Sequence, residues 1–275
     1  GMVCHETYKD SDNNWVGPDE IENINGKKYL IKDKSKLIKV GPSESMSKSK
    51  KNTIDPENII RDYGADSVRL FILSDSPPEK DVQWSEEGIS SAFKFIQRLW
   101  NMHLKIISEI QKDHEKDNSD SFLKYTHKFI KKITYNLESF SYNIIIANIH
   151  ELYTFVNNEI NQKYTKETLL DNYKKILITL NPIIPHFSSE ALKNINCLDK
   201  LSWPTYNENL LREDTIPFVI QINGKKRGLI EIKTDQSDKE ILNLIYQDNN
   251  LNKYLNDKEI KKKIFVPNRL MNIIV

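Results

Sequence analysis

Cysteine is almost absent: the 275 residues hold only Cys4 and Cys197. They form no C-x-x-C pair, so neither a disulfide framework nor a zinc knuckle is indicated. The Cys4-His5 dipeptide lacks the spaced partners of a metal site, and no structural metal is expected. Long hydrophobic runs are missing as well. No uninterrupted apolar stretch approaches the roughly 18–20 residues that span a bilayer. The first residues, Gly1-Met2-Val3-Cys4-His5-Glu6, lack the basic start and apolar stretch of a signal peptide. A cytoplasmic protein without a membrane partner is therefore expected. Net charge is small, +1, and by itself names no partner. There is no internal repeat and no low-complexity linker.

What is present is an ordinary foldable mixture, 38% hydrophobic and 29% charged. The length favours two or three domains. Charge is uneven along the chain. Residues 25–52 carry nine lysines against Asp33 and Glu44, and residues 215–275 carry eleven Lys/Arg against seven Asp/Glu. Basic stretches of this kind suit a polyanion, and they also suit a plain solvated face.

Residues 1 to about 40 read as short extended pieces. Asn25-Gly26 between Glu22-Asn23-Ile24 and Lys27-Lys28-Tyr29-Leu30-Ile31 signals a hairpin. Residues 41–52 read as a loop. Asp55-Pro56 then starts a helix that should stop at Tyr63-Gly64, and a second runs from Ala65 to Leu73. Ser85, followed by Glu86 and Glu87, caps a long helix whose apolar stripe is Ile89, Phe93, Ile96, Leu99 and Trp100. Helices follow with Phe122, Phe129, Ile133 and Leu137 inward, then from Tyr142 to Ile160, from Lys166 to Leu180, and after Pro185. Antiparallel helices with short connections make a bundle. After about residue 212 the period changes. Phe218–Ile222, the Asn223-Gly224 turn and Arg227–Lys233 form a hairpin, Ser237–Glu240 is a capping box, and two strands end the chain.

The run Ser45-Met46-Ser47-Lys48-Ser49 carries the chemistry. It resembles the K-M-S-K-S loop of class I aminoacyl-tRNA synthetases. The resemblance continues through Lys50-Lys51-Asn52-Thr53-Ile54-Asp55-Pro56 and Tyr63-Gly64-Ala65-Asp66-Ser67-Val68-Arg69-Leu70-Phe71. Leu180–Phe187 with Glu190 resembles the late helices of the anticodon-binding bundle of this enzyme group, and Ser74–Val82 with Gln83-Trp84, Gln221–Gly228 and Val266–Val275 are similar to the leucyl group in particular. The implied fold is multidomain: the C-terminal end of a Rossmann-like α/β catalytic domain (1–84, with a leucine-specific-type insertion at about 15–40), a helical anticodon-binding-type bundle (85–212), and a small α+β tRNA-binding domain (213–275). The implied reaction joins leucine to its tRNA through an aminoacyl-adenylate, with Mg-ATP as substrate.

That resemblance assigns Lys48 to the ATP phosphates, where an ammonium stabilises the charge that builds up in the transition state. Ser45, Met46, Ser47 and Ser49 shape the ATP-binding loop. Ser45 departs from the family, which has lysine there, and Lys50 or Lys51 is available to replace the lost cation. For Lys225, Lys226 and Arg227 phosphate contact and plain solubility stand level, and the resemblance favours tRNA. Trp84, Trp100 and Trp203 read as packing residues, and His186 as a structural histidine. The H-I-G-H half of the nucleotide site, the leucine pocket and the editing domain have no counterpart in these residues, so the chain reads as a fragment needing an N-terminal remainder. Two alternatives stay open: an RNA-binding module without catalysis, and a valyl, isoleucyl or methionyl enzyme. Against the latter stand the lack of a Cys-rich zinc tail and of a C-terminal coiled coil.

Overall fold

The computed structural model describes residues 1–112, 114–198, 201–211, 215–256 and 258–275. The helices begin where their first residues allow. Asp55 accepts a bond from the Glu57 amide and Pro56 takes the first turn, so α1 runs Pro56–Tyr63 and ends at Gly64, whose φ is +79°. Then α2 (Ala65–Ser74) leads towards α3 (Glu86–Lys112), where Ser85 Oγ accepts from the Gly88 amide. Four more helices complete the bundle: α4 (Ser121–Glu138), α5 (Tyr142–Glu159), α6 (Lys166–Leu180) behind the Thr165 cap, and α7 (Pro185–Asn194).

Two small sheets precede the bundle. Strand β1 (Val3–Lys9) lies between β5 (Lys39–Ser45), antiparallel, and β6 (Val82–Gln83), parallel. Strands β2 (Ile21–Ile24), β3 (Lys27–Leu30) and β4 (Asp33–Leu37) form an antiparallel sheet of their own, turned at Asn25 and Gly26, both with positive φ. Tyr8, Val16 and Ile38 form a small core with Ile21 and Leu30 against them. Lys28 reaches Glu6 at 2.5 Å and the Tyr8 hydroxyl at 2.9 Å. The Lys28 hydrogen bond holds the Glu6 carboxyl below its usual range.

The chain divides into two compact units, Gly1–Asn207 and Glu208–Val275. The boundary expected between residues 212 and 213 lies outside the described residues. Position 84 marks no break in packing. Phe71 and Trp84 meet edge to face at 5.4 Å and share one core with Ile89, Leu99, Ile106, Ile149 and Tyr173. Gly88 permits this approach, because a Cβ there would lie 2.5 Å from the Phe71 ring.

Two sequence expectations are corrected. Residues 41–45 are strand, not loop. Ser43, Glu44 and Ser45 pair with β1 as an outer strand, and Gly41 and Pro42 fall at the irregularity in that ladder, where proline's missing N–H is tolerated. The deepest stripe of α3 is Ile89, Ala92, Phe95, Leu99, Met102, His103, Ile106 and Ile110, whereas Phe93, Ile96 and Trp100 are half-buried at its margin. A large aromatic such as Phe93 suggests an inward position by its size, yet the stripe that packs deepest runs through its neighbours Ala92 and Phe95.

The second unit is a four-stranded sheet, ordered β8-β7-β10-β9, built from β7 (Thr215–Ile222), β8 (Lys225–Lys233), β9 (Lys262–Val266) and β10 (Leu270–Ile274). Its inward face carries Phe218, Ile220, Ile232, Met271 and Ile273. It packs with α8 (Asp238–Gln247) and the short α9 (Asn249–Asn252) through Ile241, Ile245 and Leu251. The parallel pairing of β10 with β7 places the last strand inside the sheet.

Helix α7 has no side-chain cap of its own, because Ile184 precedes Pro185. Asp66 supplies one from α2: it is buried and accepts from the amides of His186 (3.3 Å) and Phe187 (2.7 Å) and from His186 Nδ1 (2.9 Å). One turn on, Arg69 donates to the carbonyls of Ile183 (2.9 Å) and Pro182 (2.6 Å). Asp66→Ala strands these amides, and denaturant unfolding should show a loss of about 3 kcal/mol, with Asp66→Asn recovering part of it. A second expectation follows from His103, fully buried beside the Tyr173 hydroxyl at 2.9 Å. Burial lowers its pKa from 6.5 to about 4. The unfolded chain binds this proton more readily, so the stabilisation is complete above pH 6.5 and is lost as pH falls towards 4. Urea midpoints across that window should fall, and a His103→Gln variant should flatten the dependence.

Candidate functional site

The signature run leaves β5 and turns back on itself before α1. The turn is organised by Asn52, a residue whose sequence context gives it no special weight. Its side chain is fully buried. Its Oδ1 accepts from the Ser47 amide at 2.8 Å, and its Nδ2 donates to the carbonyls of His5 (3.2 Å) and Glu44 (3.1 Å). One amide therefore ties the loop, the end of β5 and the middle of β1. An amide suits this place because it donates and accepts at once. Ser47 Oγ lies 3.2 Å from Ser49 Oγ and accepts from the Lys50 amide at 3.4 Å. Lys51 closes the turn on the Lys48 carbonyl, with φ of +53°. Met46 is half-buried and packs on the main core.

The three lysines of the loop are in different situations. Lys50 is paired with Glu44, and Lys51 lies 3.8 Å from Glu20. Lys48 is exposed and has no carboxylate partner among the described residues. It lines a cleft of about 710 Å³ together with Asp19, Asp55, Glu86 and the first turn of α1. Its ammonium is the cation of the loop that remains uncommitted. Ser45, where the family has lysine, is exposed at the end of β5, 3.9 Å from the Cys4 sulfur. Cys4 and Cys197 are both free. Among the described residues, no three His, Cys, Asp or Glu side chains are grouped to hold a metal ion, and no helix is long and apolar enough to cross a membrane.

In the second unit the Asn223-Gly224 turn, both residues at positive φ, exposes Lys225, Lys226 and Arg227. The three are not equivalent. Arg227 lies over the Tyr254 ring, 4.6 Å from its centre, with Lys253 at 5.2 Å. Lys225 pairs with Ile222, Ile222 with Ile273, and Ile273 with Lys263, so Lys225 and Lys263 share one row at opposite edges of the sheet. Three strand spacings separate them by about 14 Å. Lys263 is held by Asp238 at 2.8 Å. Trp84 is buried, Trp100 half-buried, and Trp203 donates to Thr134 Oγ1 at 2.9 Å.

Residues 34–85 match the family model described as tRNA synthetases class I (I, L, M and V), and residues 119–242 match that of the anticodon-binding domain of tRNA ligase. The chain is 41% identical over 283 residues to the leucine–tRNA ligase of Orientia tsutsugamushi (strain Boryong), covering all of this chain and 33% of that protein. It is 38% identical over 279 residues to that of Rickettsia rickettsii (strain Sheila Smith), with the same coverage. The chain thus spans about a third of the length of these relatives. The fold is similar to that in the crystal structure of the ternary complex of Agrobacterium radiobacter K84 agnB2 LeuRS, tRNA and LeuAMS. The TM-score is 0.71, the identity 24%, and the match covers 84% of this chain and 31% of that one.

Asn52→Ala should release the turn without unfolding the unit. Losing its buried bonds costs about 2 kcal/mol locally, so trypsin cleavage after Lys48, Lys50 and Lys51 should accelerate roughly 30-fold. Unchanged cleavage would remove Asn52 from the centre of the loop.

Proposed function

We propose, on the premise that the chain is related over its whole length to the leucine–tRNA ligases of class I, that it forms the part of such an enzyme bearing the signature loop and the tRNA-binding regions. The observation that carries the proposal is Lys48: the exposed, unpaired cation of the loop, on the wall of a cleft. In the first half-reaction the leucine carboxylate attacks the α-phosphorus of ATP, which enters with Mg²⁺ as substrate. The P–O bond to pyrophosphate breaks, and leucyl-adenylate remains. Negative charge grows on the phosphate oxygens, and an ammonium on a closing loop stabilises that state more than the ground state. Ser47 and Ser49 keep the turn tight, Met46 anchors it, and Ser45 leaves the approach to the phosphates uncrowded.

The chemistry of the cleft supports a half-site. Lys48 shares it with Asp19, Asp55 and Glu86, so its formal charge is negative. A surface of that sign does not hold a triphosphate unaided. The remaining donors, the leucine pocket and the H-I-G-H half belong to the N-terminal remainder of the enzyme. In this assignment residues 1–84 complete the catalytic domain, residues 85–212 carry the bundle, and residues 213–275 grip tRNA(Leu) through Lys225, Lys226 and Arg227. The compartment is the cytoplasm.

The 275 residues alone should show no leucine-dependent ATP–pyrophosphate exchange. Supplied with the N-terminal remainder of a related leucine–tRNA ligase they should restore it, and Lys48→Ala should lower the restored rate roughly 10²-fold. Exchange by the isolated chain, free of host enzyme, overturns the half-site. A full rate with Lys48→Ala overturns the role of that lysine. Binding of tRNA(Leu) should weaken with salt, and removing Lys225, Lys226 and Arg227 together should reduce the slope by about one unit for each phosphate they neutralise. An unchanged slope removes the second unit from the interface.

A further inference from the structure

A cleft of about 960 Å³ in the first unit lies apart from Lys48, between the α1–α2 turn, α3 and α7. This is within the range of ligand sites. Neither lysine nor arginine lines it. Trp100 forms an aromatic wall, braced by His103 at 4.9 Å and by Phe187 edge to face at 6.1 Å. Gln97 and Asn101 flank it along α3 and are exposed. Neither their amides nor the Trp100 indole N–H has a hydrogen-bond partner among the described residues. Opposite, His186 is held through Nδ1 by the buried Asp66 carboxylate at 2.9 Å. A carboxylate only accepts, so Nδ1 carries a proton, and in the tautomer this fixes Nε2 is an acceptor.

We propose that this cleft binds an unpaired nucleobase of an RNA. An aromatic wall provides stacking, and uncommitted amides, an indole N–H and an imidazole acceptor provide the two-way hydrogen bonding that a base edge requires. The lack of cations disfavours a phosphate. The ordering of His186 by Asp66 pre-organises one side of the site, so little freedom is lost on binding. The proposal rests on the reading of the chain as a tRNA-binding protein, and it places one looped-out nucleotide of that tRNA against α3.

Saturation-transfer NMR on the 275-residue chain with adenosine, guanosine, cytidine and uridine tests the site, with a tRNA(Leu) transcript as competitor. At least one nucleoside should receive saturation and be displaced by the transcript. Trp100→Leu should weaken nucleoside binding roughly 5- to 100-fold, the range of a lost base–aromatic stack. Because Trp100 braces the core, the paired change Gln97→Ala with Asn101→Ala, at exposed positions, provides a second variant. It should lower affinity roughly 10-fold with unchanged thermal unfolding. No saturation of any nucleoside, or saturation that survives the paired change, overturns the proposal. So does nucleoside binding that the transcript fails to displace although it binds the chain. If the transcript does not bind the chain at all, the tRNA-binding reading falls, and the nucleoside and variant arms still decide whether the cleft takes a base.

Discussion

The first unit depends on the grip of α2 on the α6–α7 connection. Asp66 neutralises the open amides at the start of α7, and Arg69, one turn later, neutralises carbonyls that end the preceding turn. A helix start is positive and a helix end negative, so one short helix satisfies both poles with one residue of each sign. The consequence reaches further than the two bonds. Leu70 and Phe71 on α2 pack with Trp84 and α3, and Val82 beside Trp84 pairs with Val3 of β1. The sheet that presents the signature loop is thereby fastened to the bundle through a continuous core.

Much of this was legible in the sequence for reasons of local chemistry. Asp55-Pro56, Thr165, Ser237–Glu240 and the two Asn-Gly turns decide backbone geometry by themselves, and the helices they start and the strand ends they join lie within a residue or two of the expected positions, although β7 begins three residues earlier than expected. What was not legible depends on partners distant in sequence. Residues 41–45 contain glycine, proline and serines, and they are strand only because β1 is alongside. The caps of α7 come from 120 residues upstream. Asn52 appears in the sequence as one polar residue among several, and its importance lies in being buried where three backbone groups converge.

The second unit shows a similar limit. The hairpin turn foretold an exposed basic tip, and Lys225, Lys226 and Arg227 are exposed. Position along the strands did not reveal that Arg227 rests on Tyr254 or that Lys263 is engaged by Asp238. A guanidinium on a ring is still free to accept a phosphate on its outer edge, since the stack uses its face and leaves its N–H groups in plane. A lysine in an exposed ion pair gives up that pair at small cost. Lys225 and Lys226 therefore present their charge at once, whereas Lys263 exchanges one anion for another.

Ser45 stands where the resembled loop carries lysine, and the three lysines after it differ in their surroundings. Three lysines follow the missing one, and proximity alone makes each a candidate for its place. Lys50 and Lys51 face Glu44 and Glu20, carboxylates fixed on β5 and on the turn before β2. To serve a phosphate, each would leave a carboxylate beside the incoming negative charge, which cancels much of the gain. Lys48 has no ion pair to break, although Asp19, Asp55 and Glu86 line the same cleft. Among the three lysines of the loop, Lys48 is therefore the one whose charge is not engaged by a carboxylate.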